Sequence, residues 1–246
     1  MEDERRRNAA IKRLQRKNRK DAIPTFASKR SVIAVHEAGH IVGRFLTADL
    51  MGYDPAGCVA YVDMHDPYSQ PPYEGSDGQI YSEGAVTFGP QFSKEINDAI
   101  AASGRDALTL STAASIYIAR TNGADVNKWA KAKLMIALAG PIAEGIDRNI
   151  SFAEVLRLTE CQNDFADAKA TCLSLGWSDE ESAAAMTAAA NVVYDNFEKS
   201  DVWARLLKLA AILPAEGRVV GSQAWAIYSH ALTETNSESF TPQSTS

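Results

Sequence analysis

The sequence predicts a mostly α-helical protein of the α+β class, with a small β element directly after the first apolar helix. Helical patterns follow one another from residue 91 onward, whereas β-rich patterns occur only at residues 57–63 and 78–88. The chain has 246 residues, of which 46% are hydrophobic and 23% charged. That length and composition predict a globular protein with one sizeable core or two small ones.

The N-terminal region differs from the remainder in charge. Residues 1–30 hold eleven Lys and Arg and four Asp and Glu, so they carry +7, although the whole chain carries −6. We predict a basic arm and linker over residues 1–28, in which Pro24 interrupts any continuous helix. The acidic remainder argues against general nucleic-acid binding. An alternative is that the arm docks on an acidic partner or a nucleic acid.

Residues 31–50 are predicted to form a helix that is apolar around nearly its whole circumference, which indicates burial. The turn residues of "MGYDPAG" end this helix, and a strand at 57–63 follows. A loop rich in Pro, Gly and Ser then leads to the second strand at 78–88. Further helices are predicted near residues 93–102, 106–121, 125–147, 162–175, 178–199, 201–213 and 221–232. The polar, low-complexity tail at 233–246 is predicted to be disordered.

The first helix contains the stretch "VHEAGH", in which His36 and His40 stand four residues apart. Positions i and i+4 of a helix lie about 40° apart around the axis, so both imidazoles can reach one metal ion. Glu37 can reach a water on that ion without being a ligand. The pattern H-E-x-x-H is typical of zinc peptidases. The alternative is a core helix whose histidines bond to backbone carbonyls, which requires a separate partner for each polar group.

Gly39 lies between the two histidines, in the middle of the predicted helix. Glycine there costs about 1 kcal/mol relative to alanine. Its presence indicates either tight helix packing or a functional requirement.

A catalytic zinc ion takes three protein ligands and keeps one position for water. Thr159 and Gln162 match a capping box, which predicts a helix start that places Asp164 in the first turn and Asp167 on the same face. Spacing alone does not choose between these two aspartates. The candidates for the third ligand are His65, Glu144, Glu160, Asp164, Asp167 and His230.

Three segments, "VHEAGHIVGRFL", "LAGPIAEGI" and "TECQNDFADAKATCLSLGWSDEE", occur in the order seen in the FtsH-type, ATP-dependent zinc metallopeptidase family, which this chain resembles. The resemblance implies a helical, zincin-like metallopeptidase domain over residues 29–232. It implies Zn²⁺ as the cofactor, with Glu37 as general base. The implied metal ligands are His36, His40 and Asp164. Glu144 and Asn163 match residues close to the ligands, and Glu144 is expected to orient a ligand histidine.

The chain also departs from the family pattern. His36 and Asp164 are 128 positions apart, a longer separation than in the family, so we expect an insertion near residues 65–126. Pro141 replaces the family's arginine and Gly145 its second glutamate. There is no G-x-x-x-x-G-K-[ST] phosphate loop and no apolar run of about 18 residues. We therefore expect a peptidase without the family's ATPase and membrane anchor.

Together these features predict a cytoplasmic zinc metalloendopeptidase that cleaves peptides or flexible protein segments. Three cysteines without a C-x-x-C pair, and no secretory signal, favour a reducing compartment. The strand at 57–63 is expected to pair with an extended substrate, and the basic arm to recruit a separate partner. One alternative is a catalytically inactive metal-binding regulatory domain. The other is a protease that the arm brings to a nucleic-acid-bound partner.

Overall fold

The computed structural model describes residues 29–64, 73–74, 80–81, 84–158 and 161–237. The predicted basic arm (1–28) and the last residues of the predicted tail (238–246) lie outside this range. The described chain is mostly helical and has a small sheet after its first helix. The predicted mostly α class with a small β element is therefore confirmed.

The helices and strands lie close to their predicted positions. The α-helices in the described residues are α1 (Lys29–Leu46), α2 (Ala48–Met51), α3 (Lys94–Ala102), α4 (Thr112–Thr121), α5 (Val126–Arg148), α6 (Phe152–Val155), α7 (Gln162–Ser174), α8 (Asp179–Phe197), α9 (Ser200–Glu216) and α10 (Gly221–Ser237). Short 3-10 helices lie at Pro55–Gly57 and Ala107–Thr109. The strands are β1 (Val59–Met64), β2 (Tyr73–Glu74), β3 (Ile80–Tyr81), β4 (Gly84–Phe88) and β5 (Arg218–Val220).

Several boundaries differ from the prediction for local reasons. The helix expected over 31–50 is interrupted at Thr47, whose hydroxyl donates to the carbonyls of Gly43 and Arg44. The helix expected over 106–121 begins at Thr112, because the hydroxyl oxygen of Ser111 accepts a hydrogen bond from an amide of its first turn. At the other end of the chain, α10 continues past residue 233, where the disordered tail was predicted to begin.

The helix predicted near residues 162–175 corresponds to α7, but its N-terminal cap differs from the predicted capping box. Cys161 occupies the N-cap position and makes no side-chain cap bond. Thr159, which was expected to cap this helix, lies outside the described residues. The Gln162 side chain, its expected partner, instead donates to the carbonyls of Leu156 and Leu158. The helix thus begins at Gln162, the residue at which the helix over 162–175 was predicted to begin.

The main sheet has the order β4-β1-β5, with both neighbours antiparallel to β1. The central strand β1 therefore has a partner on each side: Tyr61 pairs with Thr87 in β4 and with Val220 in β5. The expectation that this strand pairs with an extended substrate is wrong, because both of its edges are already hydrogen-bonded within the sheet. Strand β5 was not predicted, since three residues between two helices show no measurable alternation.

The main core lies where α1, α5, α8 and α9 pack together against the sheet. Helices α1 and α5 run antiparallel and approach closely. A Cβ atom on Gly39 would lie 2.6 Å from the carbonyl oxygen of Ala139 and 2.7 Å from the Cβ of Ala143. Gly39 is thus required by tight helix packing, one of the two reasons that its position indicated.

A second cluster of buried apolar residues lies beside the main core and joins α3 and α4 to the first half of α5. Its members are Met51, Phe92, Ile96, Ile100, Ile116, Ala119, Val126, Trp129, Ala130, Ala132 and Leu175. The predicted insertion at 65–126 supplies both helices of this cluster and also β4, which pairs with β1. This segment therefore contributes to the sheet as well as to the second cluster.

Candidate metal centre

Two helices bring three ligand atoms to one point beside α5. His36 and His40 lie on α1, and Asp164 lies in the first turn of α7. The two Nε2 atoms are 3.1 Å apart, His36 Nε2 is 3.0 Å from Asp164 Oδ2, and His40 Nε2 is 3.2 Å from Asp164 Oδ1. We call these three residues the metal centre. They form one of two groups of His, Cys, Asp and Glu in the described chain whose geometry can hold a metal ion.

The hydrogen bonds of the other ring nitrogens fix the tautomers of both histidines. His36 Nδ1 donates to the Oε2 atom of Glu144 (3.0 Å), and His40 Nδ1 donates to the carbonyl oxygen of Ile136 (2.9 Å). A neutral imidazole that donates from Nδ1 carries a lone pair on Nε2. Two lone pairs and a carboxylate therefore face one another at hydrogen-bond distance, an arrangement that only protons or a cation can stabilise.

The spacing of these atoms fits a zinc ion. Ligand atoms about 2.0–2.1 Å from a tetrahedral zinc ion lie about 3.3–3.4 Å apart. This is close to the 3.1 Å between the two Nε2 atoms and to the 3.0 and 3.2 Å from each of them to one oxygen of Asp164. Oδ2 of Asp164 is buried and has no hydrogen-bond partner in the described part of the chain, although His36 Nε2 is near. Each oxygen of this carboxylate thus lies within 3.2 Å of a different imidazole nitrogen.

The electrostatics of the metal centre reflect the same arrangement. Burial alone would lower the pKa of His36 and His40, but the carboxylate of Asp164 raises the pKa of both above the ordinary value of 6.5. Burial would raise the pKa of Asp164, but the charges of the two neighbouring histidines hold it well below its usual range. The three side chains therefore attract one another strongly when no metal is bound.

Glu37 is buried directly beside the metal centre on α1. Burial raises its pKa, and the neighbouring histidine charges offset this only in part. A carboxylate with a raised pKa, next to a position where a metal ion can activate water, is suited to accept and return a proton.

Some residues that the sequence indicated lie away from the metal centre. Asn163 is exposed, and none of the hydrogen bonds in the described chain joins it to a ligand. Adjacent helix positions point about 100° apart, so Asn163 and Asp164 face different directions, and the role of Asn163 beside the ligands stays a prediction. Asp167 and His230 are also exposed. His65 and Glu160 lie outside the described residues.

Four residues that contribute to the site were not recognised from the sequence. Gly140 makes room for the His40 ring: a Cβ atom there would lie 2.4 Å from Nε2. The carbonyl of Ile136 holds the same ring, and Arg148 and Cys161 contact the carboxylate of Glu144. The only one with a sequence signal was Arg148, four residues after Glu144 on a helix. The others depend on how α1, α5 and α7 cross.

Comparison with models of known protein families and with curated protein sequences gives no match. In the part of the chain that the structure describes, no helix combines the length and apolar character needed to cross a membrane. Cys58, Cys161 and Cys172 are buried and form no disulfide. The geometry of the metal centre and the order of the sequence motifs are therefore the observations that bear on function.

Proposed function

We propose that this protein is a zinc-dependent metallopeptidase with a zincin-like catalytic domain. The observation that supports this most directly is the convergence of three ligand side chains, whose facing atoms are 3.0–3.2 Å apart, with a buried glutamate next to the first ligand. Two imidazoles and one carboxylate are a common ligand set of catalytic zinc.

The composition of the metal centre favours catalysis over a purely structural role. Structural zinc sites are closed by four protein ligands, usually including cysteine, whereas catalytic sites have three and keep one position open. His36, His40 and Asp164 supply three. The nearest thiol, Cys161, contacts Glu144 at 3.6 Å and forms a separate candidate group with His36 and Glu144, so it does not complete a four-ligand set with His36, His40 and Asp164.

Each residue has a distinct part in the proposed reaction. A bound zinc ion would supply Lewis-acid chemistry that activates water and polarises a peptide carbonyl. Glu37 would take a proton from the water and return it to the leaving amine. Glu144 and the carbonyl of Ile136 hold the two imidazoles in the tautomer that directs Nε2 toward the metal.

The proposed substrates are peptides or flexible protein segments. The order of the H-E-A-G-H, A-E and N-D motifs resembles the FtsH-type peptidases, and this resemblance supports peptide hydrolysis as the reaction. The unpaired, buried cysteines are compatible with a reducing compartment, so we propose a cytoplasmic location. Recruitment of a separate partner by residues 1–28 remains a prediction.

The test measures zinc per chain and cleavage of casein or a peptide library by wild type, Glu37→Gln and Asp164→Ala. We expect about one zinc ion per wild-type chain. Glu37→Gln should keep the zinc and lose cleavage by about 10²–10⁴-fold, since it removes only the base. Asp164→Ala should bind zinc weakly.

Asp167→Ala is the matched control, because Asp167 lies one turn further along α7 and is exposed. It should keep both zinc and cleavage. Full zinc occupancy in Asp164→Ala would exclude that residue as a ligand. Zinc binding without cleavage by the wild type would favour a metal-binding domain without catalytic turnover.

A further inference from the structure

A second layer of hydrogen bonds lies behind His36 and is centred on the Glu144 carboxylate. This carboxylate is buried on α5 and has three donors. His36 Nδ1 donates to Oε2 at 3.0 Å, the guanidinium of Arg148 pairs with Oε1, and the Cys161 thiol donates to Oε2 at 3.6 Å. Both carboxylate oxygens are therefore engaged.

Arg148 fixes Glu144 from within the same helix. It lies four residues later, in the last turn of α5. Its guanidinium is partly exposed, so it can neutralise the buried carboxylate without being fully desolvated itself. Charge-assisted bonds of this kind are about twice as strong as neutral ones. Without Arg148, the carboxylate could turn away from His36.

Cys161 connects the same carboxylate to the third ligand helix. It occupies the N-cap position of α7, three residues before Asp164, and is fully buried. A thiol is a weak donor, so its contribution is smaller than that of Arg148. The Glu144 carboxylate is therefore hydrogen-bonded to α1, which carries the histidines, and to the start of α7, which carries Asp164.

We propose that Arg148 and Cys161 are positioning residues of the metal centre, which act by holding Glu144 in the orientation that fixes His36 and the start of α7. This inference rests on the proposed zinc site. The alternative is that His36, Glu144 and Cys161 bind a second cation. The contacts favour hydrogen bonding, because His36 Nδ1 and the thiol both direct donors at Glu144 and Arg148 already supplies a positive charge.

The test measures the zinc dissociation constant by competition with a chromogenic chelator. Arg148→Ala should weaken zinc binding about 10–100-fold, the usual effect of removing an outer hydrogen-bond partner. Arg148→Lys should recover most of this loss. Cys161→Ala should weaken binding about two- to tenfold, the range of a single hydrogen bond, and Cys161→Ser should restore it. If Arg148→Ala does not fold, Arg148→Gln replaces it.

Two matched controls separate positioning from general destabilisation. Arg205 is a buried arginine paired with an aspartate four residues earlier, as Arg148 is paired with Glu144. Cys172 is equally buried on the same helix as Cys161. Arg205→Ala and Cys172→Ala should leave the zinc dissociation constant within about twofold of wild type. An equal loss of affinity in these controls would overturn the inference.

A double-mutant cycle and a cobalt spectrum complete the test. In a Glu144→Gln background, Arg148→Ala should change the zinc dissociation constant little further, because both residues act through the same carboxylate. If Arg148→Ala weakens zinc binding as much in this background as in the wild type, the inference is contradicted. Cobalt-substituted wild type should lack intense sulfur-to-metal charge-transfer bands, and such bands would make Cys161 a ligand instead. If the wild type binds no zinc, the proposed function is contradicted. If the wild type binds zinc and Arg148→Ala has the same zinc dissociation constant, only this inference is contradicted.

Discussion

The metal centre and the second cluster are both buried, but they bury different kinds of residue. Every member of the second cluster is apolar, and the buried polar residues between positions 93 and 121, which include α3 and α4, are Ser93 and Ser115. The metal centre and its surroundings instead bury the ionisable groups of His36, Glu37, His40 and Glu144. Burying such groups costs several kcal/mol unless each has a partner. This difference locates the chemistry where α1, α5 and α7 meet, and gives α3 and α4 a structural role.

Helix α5 belongs to both regions. Its first half, with Val126 and Trp129, packs in the second cluster, while its second half, with Gly140 and Glu144, contacts the histidines. If the two regions have separate roles, changes in the first half should alter stability alone, and changes in the second half should alter metal binding as well.

The largest expected effect comes from Gly140→Ala. The new methyl group would lie 2.4 Å from His40 Nε2, so the ring must move and zinc binding should weaken at least about 10–100-fold. The measurement is zinc affinity by chelator competition, together with the melting temperature.

Gly43→Ala is the matched control for this change. Its methyl group would lie 2.6 Å from the Cβ of Ala139 and would crowd the same pair of helices without touching a ligand. Both variants should lose about 1–3 kcal/mol of stability from overpacking, but Gly43→Ala should keep its zinc affinity. Similar zinc affinities in the two variants would refute the steric role of Gly140.

The second prediction concerns a cavity in the second cluster. Ile100 is fully buried on α3, so Ile100→Ala should lower the free energy of unfolding by about 2–5 kcal/mol. Folded Ile100→Ala should bind zinc as tightly as wild type, because no ligand contacts this cluster.

Ile142→Ala makes a cavity of the same size in the main core, two residues from both Gly140 and Glu144 but on the opposite face of α5, so the segment that contacts the histidines can shift into it. It should lose comparable stability, as measured by urea unfolding, and should also bind zinc more weakly than Ile100→Ala. If Ile100→Ala loses zinc affinity to the same degree, the two regions do not have separate roles.

A smaller effect is expected from pH. The pKa of His36 and of His40 is raised because Asp164 outweighs the effect of burial. In the metal-free protein this pairing stabilises the fold below about pH 6.5, and the stabilisation is lost as the pH rises through the raised values. Zinc requires neutral imidazoles, so the increase in melting temperature that zinc produces should grow from pH 5.5 to pH 8.

The control for the pH prediction is Asp164→Asn. In the metal-free variant, the free energy of unfolding should change much less between pH 6 and pH 8 than in the metal-free wild type. The reason is that, without the carboxylate, the pKa values of the histidines return toward or below 6.5. A zinc-induced shift in melting temperature that is constant across this range would contradict the proposed protonation of the histidines.

Local features of the fold and the site could be predicted from the sequence, because they depend on short spacings. His36 and His40 share a helix face by their separation alone, and the helices follow from their apolar periodicity. Glu144 and Asp164 were identified by resemblance, and the structure brings both to the histidines. Asn163, matched in the same way, is exposed, since adjacent helix positions face different directions.

The remaining features depend on contacts between distant segments. The carbonyl of Ile136 has no sequence signature as a partner of His40, because every residue has a carbonyl. The role of Gly140 appears only when α1 crosses α5 at that residue. The position of β1 in the middle of the sheet depends on the three residues of β5, which lie more than 150 positions away in the chain. These features arise from tertiary packing.

The central claim is that His36, His40 and Asp164 bind one zinc ion, and the most direct test is crystallographic. Anomalous diffraction data would be collected just above and just below the zinc absorption edge from crystals of the zinc-loaded protein. We predict one anomalous peak, about 2.0–2.2 Å from His36 Nε2, from His40 Nε2 and from a carboxylate oxygen of Asp164. No peak at this position, or a peak bound by Cys161 and Glu144 instead, would contradict the claim.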